Sequence, residues 1–198
     1  MIKELNIIAV YNSSDNSYRL PLKGIRRGNV KQLSMKFDSG AANTLISIYS
    51  FYNKTKSNKF SELVYKSVSE YKEKVLKTAK RLNLEPLEMS SASGGKMKGY
   101  LMKARDVYIY GKLFPEFFFY LTFDTERQTV LLGNDFISCC SFTHNIGGDI
   151  HITKYDSTKY RNLVASKRPN AICVDELLDI EDIQADLAAA FNDFIKNK

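Results

Sequence analysis

Asp38 is the acid in this chain whose neighbours suggest chemistry. It lies in MKFDSGAANTLIS (35–47), where a strand-like apolar run meets Asp-Ser-Gly-Ala and becomes apolar again at Leu45 and Ile46. Alone, that tetrapeptide is also an ordinary turn, with Asp38 capping the bend and Gly40 supplying backbone freedom. Two later stretches bear on the choice: SSASGGKMKG (90–99), a Gly-rich hairpin tip, and VLLGNDFI (130–137), an apolar pair and a glycine ahead of a short helix. Other chemistries lack their signatures. The chain contains no GxGxxG, GxxxxGK[ST], GxSxG or HExxH. His144 and His151 have no partner at ligand spacing and read as surface or packed histidines. Cys139 and Cys140 are adjacent, as buried small apolar residues often are, although a pairing of either with His144 stays open.

The elements that would carry these residues can be read from periodicity. LNIIAVY (5–11), YRLPLKGI (18–25) and QLSMKF (32–37) alternate like strands and are separated by the turn-rich NSSDNS and RRGN. The period then changes. Phe60, Leu63, Val64, Val68, Tyr71, Val75, Leu76 and Ala79 recur at three- and four-residue steps, which predicts an amphipathic helix over about 59–82, capped at Ser61 or nearby. Strand character returns around the Ser/Gly turn, continues through PEFFFYLTF and QTVLLG, and closes with GGDIHITKY; NDFISCCSF allows a short helix. The expected body is mainly β over 1–153, with a helical insertion at about 50–84. Residues 154–173 lack a period and read as a linker. Residues 174–198 read as an acidic amphipathic helix, with Leu177, Ile180, Ile183, Leu187, Phe191 and Phe194 on one face.

Composition narrows the function classes. With 44% hydrophobic and 26% charged residues, the 198-residue chain has the make-up of a folded domain. Its densest apolar stretch, FFFYLTF, is far short of the roughly 20 residues a membrane span needs. The N-terminal IIAV is too brief for a signal-peptide core, so a cytoplasmic location and no membrane partner are expected. Three cysteines without CxxC spacing read as plain thiols, with no metal site and no cofactor. The net charge of +7 is uneven: from Val174 onward seven acids face two lysines, a balance of −5, which leaves +12 on the body. The basic residues are scattered and no nucleic-acid motif accompanies them, so no nucleic-acid partner is expected. The acidic tail suits docking on its own body or on a partner.

In this order, Asp-Ser-Gly-Ala, the Gly-rich tip and Leu-Leu-Gly make residues 5–153 resemble the retropepsin-like aspartic proteases. The resemblance implies a closed β-barrel-type protomer, here with an inserted amphipathic helix and a C-terminal helix, acting as a two-fold homodimer. It makes Asp38 the catalytic aspartate. Ser39, Gly40, Ala41 and Thr44 would support the active-site loop. Ser91, Ala92, Ser93, Gly94 and Gly95 would form the flap tip over a polypeptide substrate, and Leu131, Leu132 and Gly133 would brace the loop. The family's mechanism uses two aspartates and needs no metal. Asp-[ST]-Gly occurs once in this chain, so the second carboxylate would come from a second copy. Retroviral members pair an acid two residues after the triplet glycine with an arginine after the later glycine; here Ala42 and Asn134 occupy those places. With both partners absent, no orphaned charge is expected there, and Asn43 would contact the substrate backbone instead. The competing expectation is a catalytically inactive protease-fold module whose acidic C-terminal helix binds a partner.

Overall fold

The computed structural model describes residues 1–23, 33–51, 58–90, 95–123, 129–144 and 148–177, with backbone alone at 51, 58–67 and 168. In chain order the elements are β1 (Ile2–Asn12), β2 (Ser17–Lys23), β3 (Leu33–Phe37), β4 (Leu45–Ser47), a 3-10 turn (Ile48–Phe51), α1 (Asn58–Arg81), β5 (Leu87–Ser90), β6 (Lys96–Ile109), β7 (Lys112–Thr122), β8 (Val130–Leu132), α2 (Asn134–Ile137), β9 (Cys140–His144), β10 (Ile150–Asp156), α3 (Ser157–Ala165), a 3-10 turn (Arg168–Asn170), β11 (Ile172–Cys173) and a last 3-10 turn (Val174–Leu177). The protein is mainly β, as the alternating patterns predict. Among the described residues, no helix is long and apolar enough to cross a membrane.

Six strands close into a barrel in the order β6, β7, β4, β8, β3, β2, with β2 returning to pair β6 at Leu22 and Lys23. Closure removes the unpaired edges an open sheet would leave. Two joints of the barrel are parallel, β3 with β8 and β4 with β7. Outside the ring, β1 runs on from β2 to pair β10, and β10 pairs β9.

Residue type explains these placements. In β3 the buried positions alternate, Leu33, Met35 and Phe37 facing the core, as a strand covered on one face requires. In β7 every residue from Phe117 to Thr122 is buried, the unbroken apolar run of a strand covered on both faces. Phe114, Phe117, Phe136, Tyr155 and Tyr160 form an aromatic cluster with centroid separations of 5.1 to 5.9 Å, the range in which tilted and edge-on rings attract. The predicted helix is present as α1; of the described part of its stripe, Val68, Tyr71, Val75 and Ala79 are buried in the core, whereas Leu76, one position off that face, is 40% exposed. It starts at Asn58, ahead of the expected cap Ser61.

Residues 154–173 differ from expectation: they are part of the body. β10 reaches Asp156, whose carboxylate caps α3 by accepting the Thr158 and Lys159 amides at 3.0 and 3.1 Å. Tyr160 lies 5% exposed and its hydroxyl accepts the Phe118 amide at 3.0 Å, while β11 adds a parallel strand to β6 at Met102 and Lys103. Of the expected C-terminal helix, Val174 to Leu177 form a buried 3-10 turn; 178–198 lie outside the described residues.

Candidate active site

Asp38 stands where β3 ends and its chain leaves the barrel. Its amide donates to the Leu132 carbonyl at 3.0 Å, extending the β3–β8 ladder by one step. The backbone then turns, and the Asp38 Oδ1 accepts the Gly40 and Ala41 amides at 3.1 and 3.2 Å. Oδ2 lies 4.0 Å from Lys36 Nζ, on a side chain 29% exposed. Ser39 and Gly40 are exposed on the turn and Ala41 is half-buried. A Cβ on Gly40 would meet that same Oδ1 at 3.3 Å, so a larger residue there would press on the carboxylate.

Beyond the turn the loop is fastened to the segment that follows β8. The amides of Asn134 and Asp135 donate to the carbonyls of Ala41 and Ala42 at 2.7 and 3.2 Å. Thr44, fully buried, donates its hydroxyl to Asp135 Oδ1 at 2.7 Å and its amide to the same oxygen at 2.8 Å, while its Oγ1 accepts the Gly133 amide at 3.1 Å. A Cβ on Gly133 would lie 2.2 Å from the Asn43 carbonyl carbon and 2.6 Å from the Thr44 nitrogen, so the two backbones approach only because this residue is glycine. Leu131 and Leu132 lie beside Lys36 and Phe37 on the strand that delivers Asp38. The structure thus gathers Asp38, Ala41, Thr44, Leu131, Leu132 and Gly133 into one floor.

Ala42 and Asn134 leave no orphaned charge, but the next residue, Asp135, is a buried acid that the sequence reading did not name, with Lys167 beside it. Its side chain is 9% exposed, and burial raises its pKa, opposed by the Thr44 hydroxyl, the Lys167 charge and the Thr44 and Phe136 amides. Lys167, three-quarters buried in the corner after α3, places Nζ 3.9 Å from Asp135 Oδ2 and donates to Asn43 Oδ1 at 3.4 Å. The same Nζ lies 5.7 Å from the Tyr120 ring centroid. Burial outweighs this cation because 3.9 Å is a loose ion pair, not a hydrogen-bonded one. Asn43 therefore has one side-chain oxygen engaged within the chain.

Asp135 and Lys167 were not singled out from sequence. Asp135 carried a faint signal, an acid in the first turn of the short helix of LLGNDFI. Lys167 carried none, since it lies 124 residues from Asn43 in an aperiodic stretch. Of the expected flap, β5 and β6 form an antiparallel arm from Leu87↔Gly99 to Ser90↔Lys96; its tip residues Ser91, Ala92, Ser93 and Gly94 lie outside the described residues, and Gly95 is exposed.

The cysteine–histidine alternative has no support in the geometry. His144 is bonded to the Tyr18 hydroxyl, and burial, then the neighbouring Cys139, pushes the Cys140 thiol up to about 12. A thiol held protonated is a poor nucleophile. Among the described residues, no group of three or more His, Cys, Asp or Glu side chains could hold a metal.

No protein-family model matches this chain, and no curated protein matches it. Among solved structures, the crystal structure of a retropepsin-like aspartic protease from Rickettsia conorii aligns with 78% of this chain and 94% of its own, at 14% identity and a TM-score of 0.42.

Proposed function

We propose that this protein is an aspartic endopeptidase whose site is completed by two copies of the chain, each contributing Asp38. The observation that carries the reading is the state of that carboxylate. One oxygen is fixed by two backbone amides of a turn fastened to the barrel, and the other, on a partly exposed side chain, lies 4.0 Å from Lys36 Nζ. A side chain that merely capped a turn would not need the loop behind it fastened to the segment after β8.

The chemistry follows from pairing. Two carboxylates brought to about 3 Å cannot both ionise, so they hold one proton between them, the arrangement for which aspartic proteases are the standing example. The ionised member takes a proton from a water, and the protonated member gives one to the carbonyl oxygen of the scissile bond. The attack forms a tetrahedral diol with no covalent bond to the enzyme, and its collapse transfers a proton to the leaving amine. In this reading Ser39, exposed beside Asp38, hydrogen-bonds toward the second copy, and the β5–β6 arm lies over an extended polypeptide.

The test is Asp38→Asn in the full chain, assayed on a peptide library with sedimentation of both proteins. Cleavage should fall about 10³-fold or more, given that positioned proton transfer contributes 10² to 10⁴, while the dimer persists. A pepstatin-type mimic should strengthen association of the unmodified protein. Cleavage indifferent to Asp38→Asn would overturn the reading and leave a binding module.

A further inference from the structure

The loop that carries Asp38 is fastened by a residue from the far end of the body. We propose that Lys167 is a positioning residue of the catalytic loop: its charge holds Asn43 and Asp135 together from the C-terminal corner, which makes residues 157–177 part of the catalytic unit. The inference rests on the reading of Asp38 given above.

Asp135 Oδ1 is fully used, since it accepts both the Thr44 hydroxyl and the Thr44 amide. Oδ2 is the oxygen turned toward Lys167, and a carboxylate this buried needs a compensating cation or gives up its charge. The ammonium also donates to Asn43 Oδ1 at 3.4 Å, so one cation lies between the two sides of the floor, the loop after Asp38 and the segment after Gly133. The Tyr120 ring beneath it favours a cation over a neutral tip. A solvated surface lysine would show none of these three contacts.

The corner is itself fixed, which a positioning group requires. The Lys167 amide donates to the Val164 carbonyl at 3.0 Å, and its carbonyl accepts the Asn170 amide at 3.1 Å. Upstream, Val164 and Tyr160 are in the core; downstream, β11 is hydrogen-bonded to β6. Lys167 is therefore gripped between two elements that belong to the barrel. Ala42 and Asn134 stand where retroviral members have an ion pair, and its bracing task passes to a cation from outside the loop and an acid one residue further on.

The experiment compares three full-length variants with the unmodified protein. Lys167→Met keeps the stem and removes the charge, Lys167→Arg keeps the charge, and Lys167→Met with Asp135→Asn removes both. Amide hydrogen exchange at Thr44, Asn134 and Asp135 is read relative to Met102 and Phe119 in the barrel, together with kcat and KM. In Lys167→Met, relative protection at the floor should fall about tenfold or more, and kcat about 10- to 100-fold, the scale expected when a reacting group shifts by about 1 Å. Lys167→Arg should stay closer to the unmodified protein. The double variant should recover protection compared with Lys167→Met, because the buried charge left unpaired has gone. Unchanged floor protection in Lys167→Met, an Arg variant no better than Met, or losses that add in the double variant would each overturn the proposal. A protection change in a protein with no Asp38-dependent cleavage would sink the proposed activity and leave the brace; Asp38-dependent cleavage with unchanged protection would do the reverse.

Discussion

The floor under Asp38 and the arm of β5 and β6 grow from different strands of one barrel, β3 and β8 for the floor and β6 for the arm, and follow opposite rules. In the floor, backbone amides, a buried threonine and a buried carboxylate join residues 38–44 to 132–135, with neighbours too close to admit a Cβ on Gly133. In the arm, a plain antiparallel ladder leaves Leu87, Glu88 and Ser90 exposed, and Met89 is only half-buried. The proposed activity would account for the contrast: a group that transfers protons must be held within a fraction of an ångström, whereas a cover that admits a chain is drawn from the low-stability end of a fold.

The contrast can be broken most severely at its glycines. Gly133→Ala drives a methyl into the backbone of Asn43 and Thr44 and should cost more than about 4 kcal/mol in denaturant unfolding, the range reserved for gross steric conflict. Thr44→Val removes the hydroxyl that serves both Asp135 and Gly133 and should cost about 2–3 kcal/mol, as expected for stranding buried polar groups. Gly99→Ala in the arm meets the flexible Met89 methyl at 2.8 Å and the Leu121 carbonyl at 3.2 Å, and should cost about 1–2 kcal/mol, the scale of local overpacking. An arm as sensitive as the floor at these positions would erase the distinction.

Titration sharpens it further. Asp135 has a raised folded pKa, so the folded state binds its proton more tightly than the unfolded chain does. Its contribution to stability is greatest below the ordinary range of an exposed carboxylate and is lost as pH rises through the raised folded value. Around it stand Lys167, Tyr120, Tyr160 and Cys139. Unfolding free energy measured across that window should fall with rising pH less steeply in Asp135→Asn than in the unmodified protein; parallel curves would show that the carboxylate is not buried as described. The smallest effect belongs to the arm: Glu88 and Lys96 pair at 2.8 Å on exposed side chains, and Glu88→Gln should change stability by less than about 1 kcal/mol.

Sequence legibility tracked how local each signal was. β3, the turn after it, α1 and the short α2 announce themselves through alternation, a 3.6-residue stripe and a glycine before a helix start, all contained within a few residues. The buried run of β7 was equally plain in PEFFFYLTF. The segment after β10 was misread because α3 buries only Tyr160 and Val164 among polar residues, too sparse a stripe to register, and β11 is two residues long. The floor was half legible: Asp38 and Gly133 have motif context, but the burial of Asp135 depends on strands and helices from distant parts of the chain. Lys167 is a basic residue in a basic stretch until the fold brings it to Asn43.

The parallel joint between β3 and β8 also sets an order of events. When Asp38 leaves the ribosome, the partners that fasten Thr44 have yet to be made, Gly133 and Asp135 following that threonine by 89 and 91 residues. Contacts so distant in sequence close late, because the loop-closure entropy is lost before they form. The nascent chain therefore carries its acid through most of synthesis as an unorganised side chain. The fastening of the loop that bears this acid is thus timed by synthesis of the segment after β8.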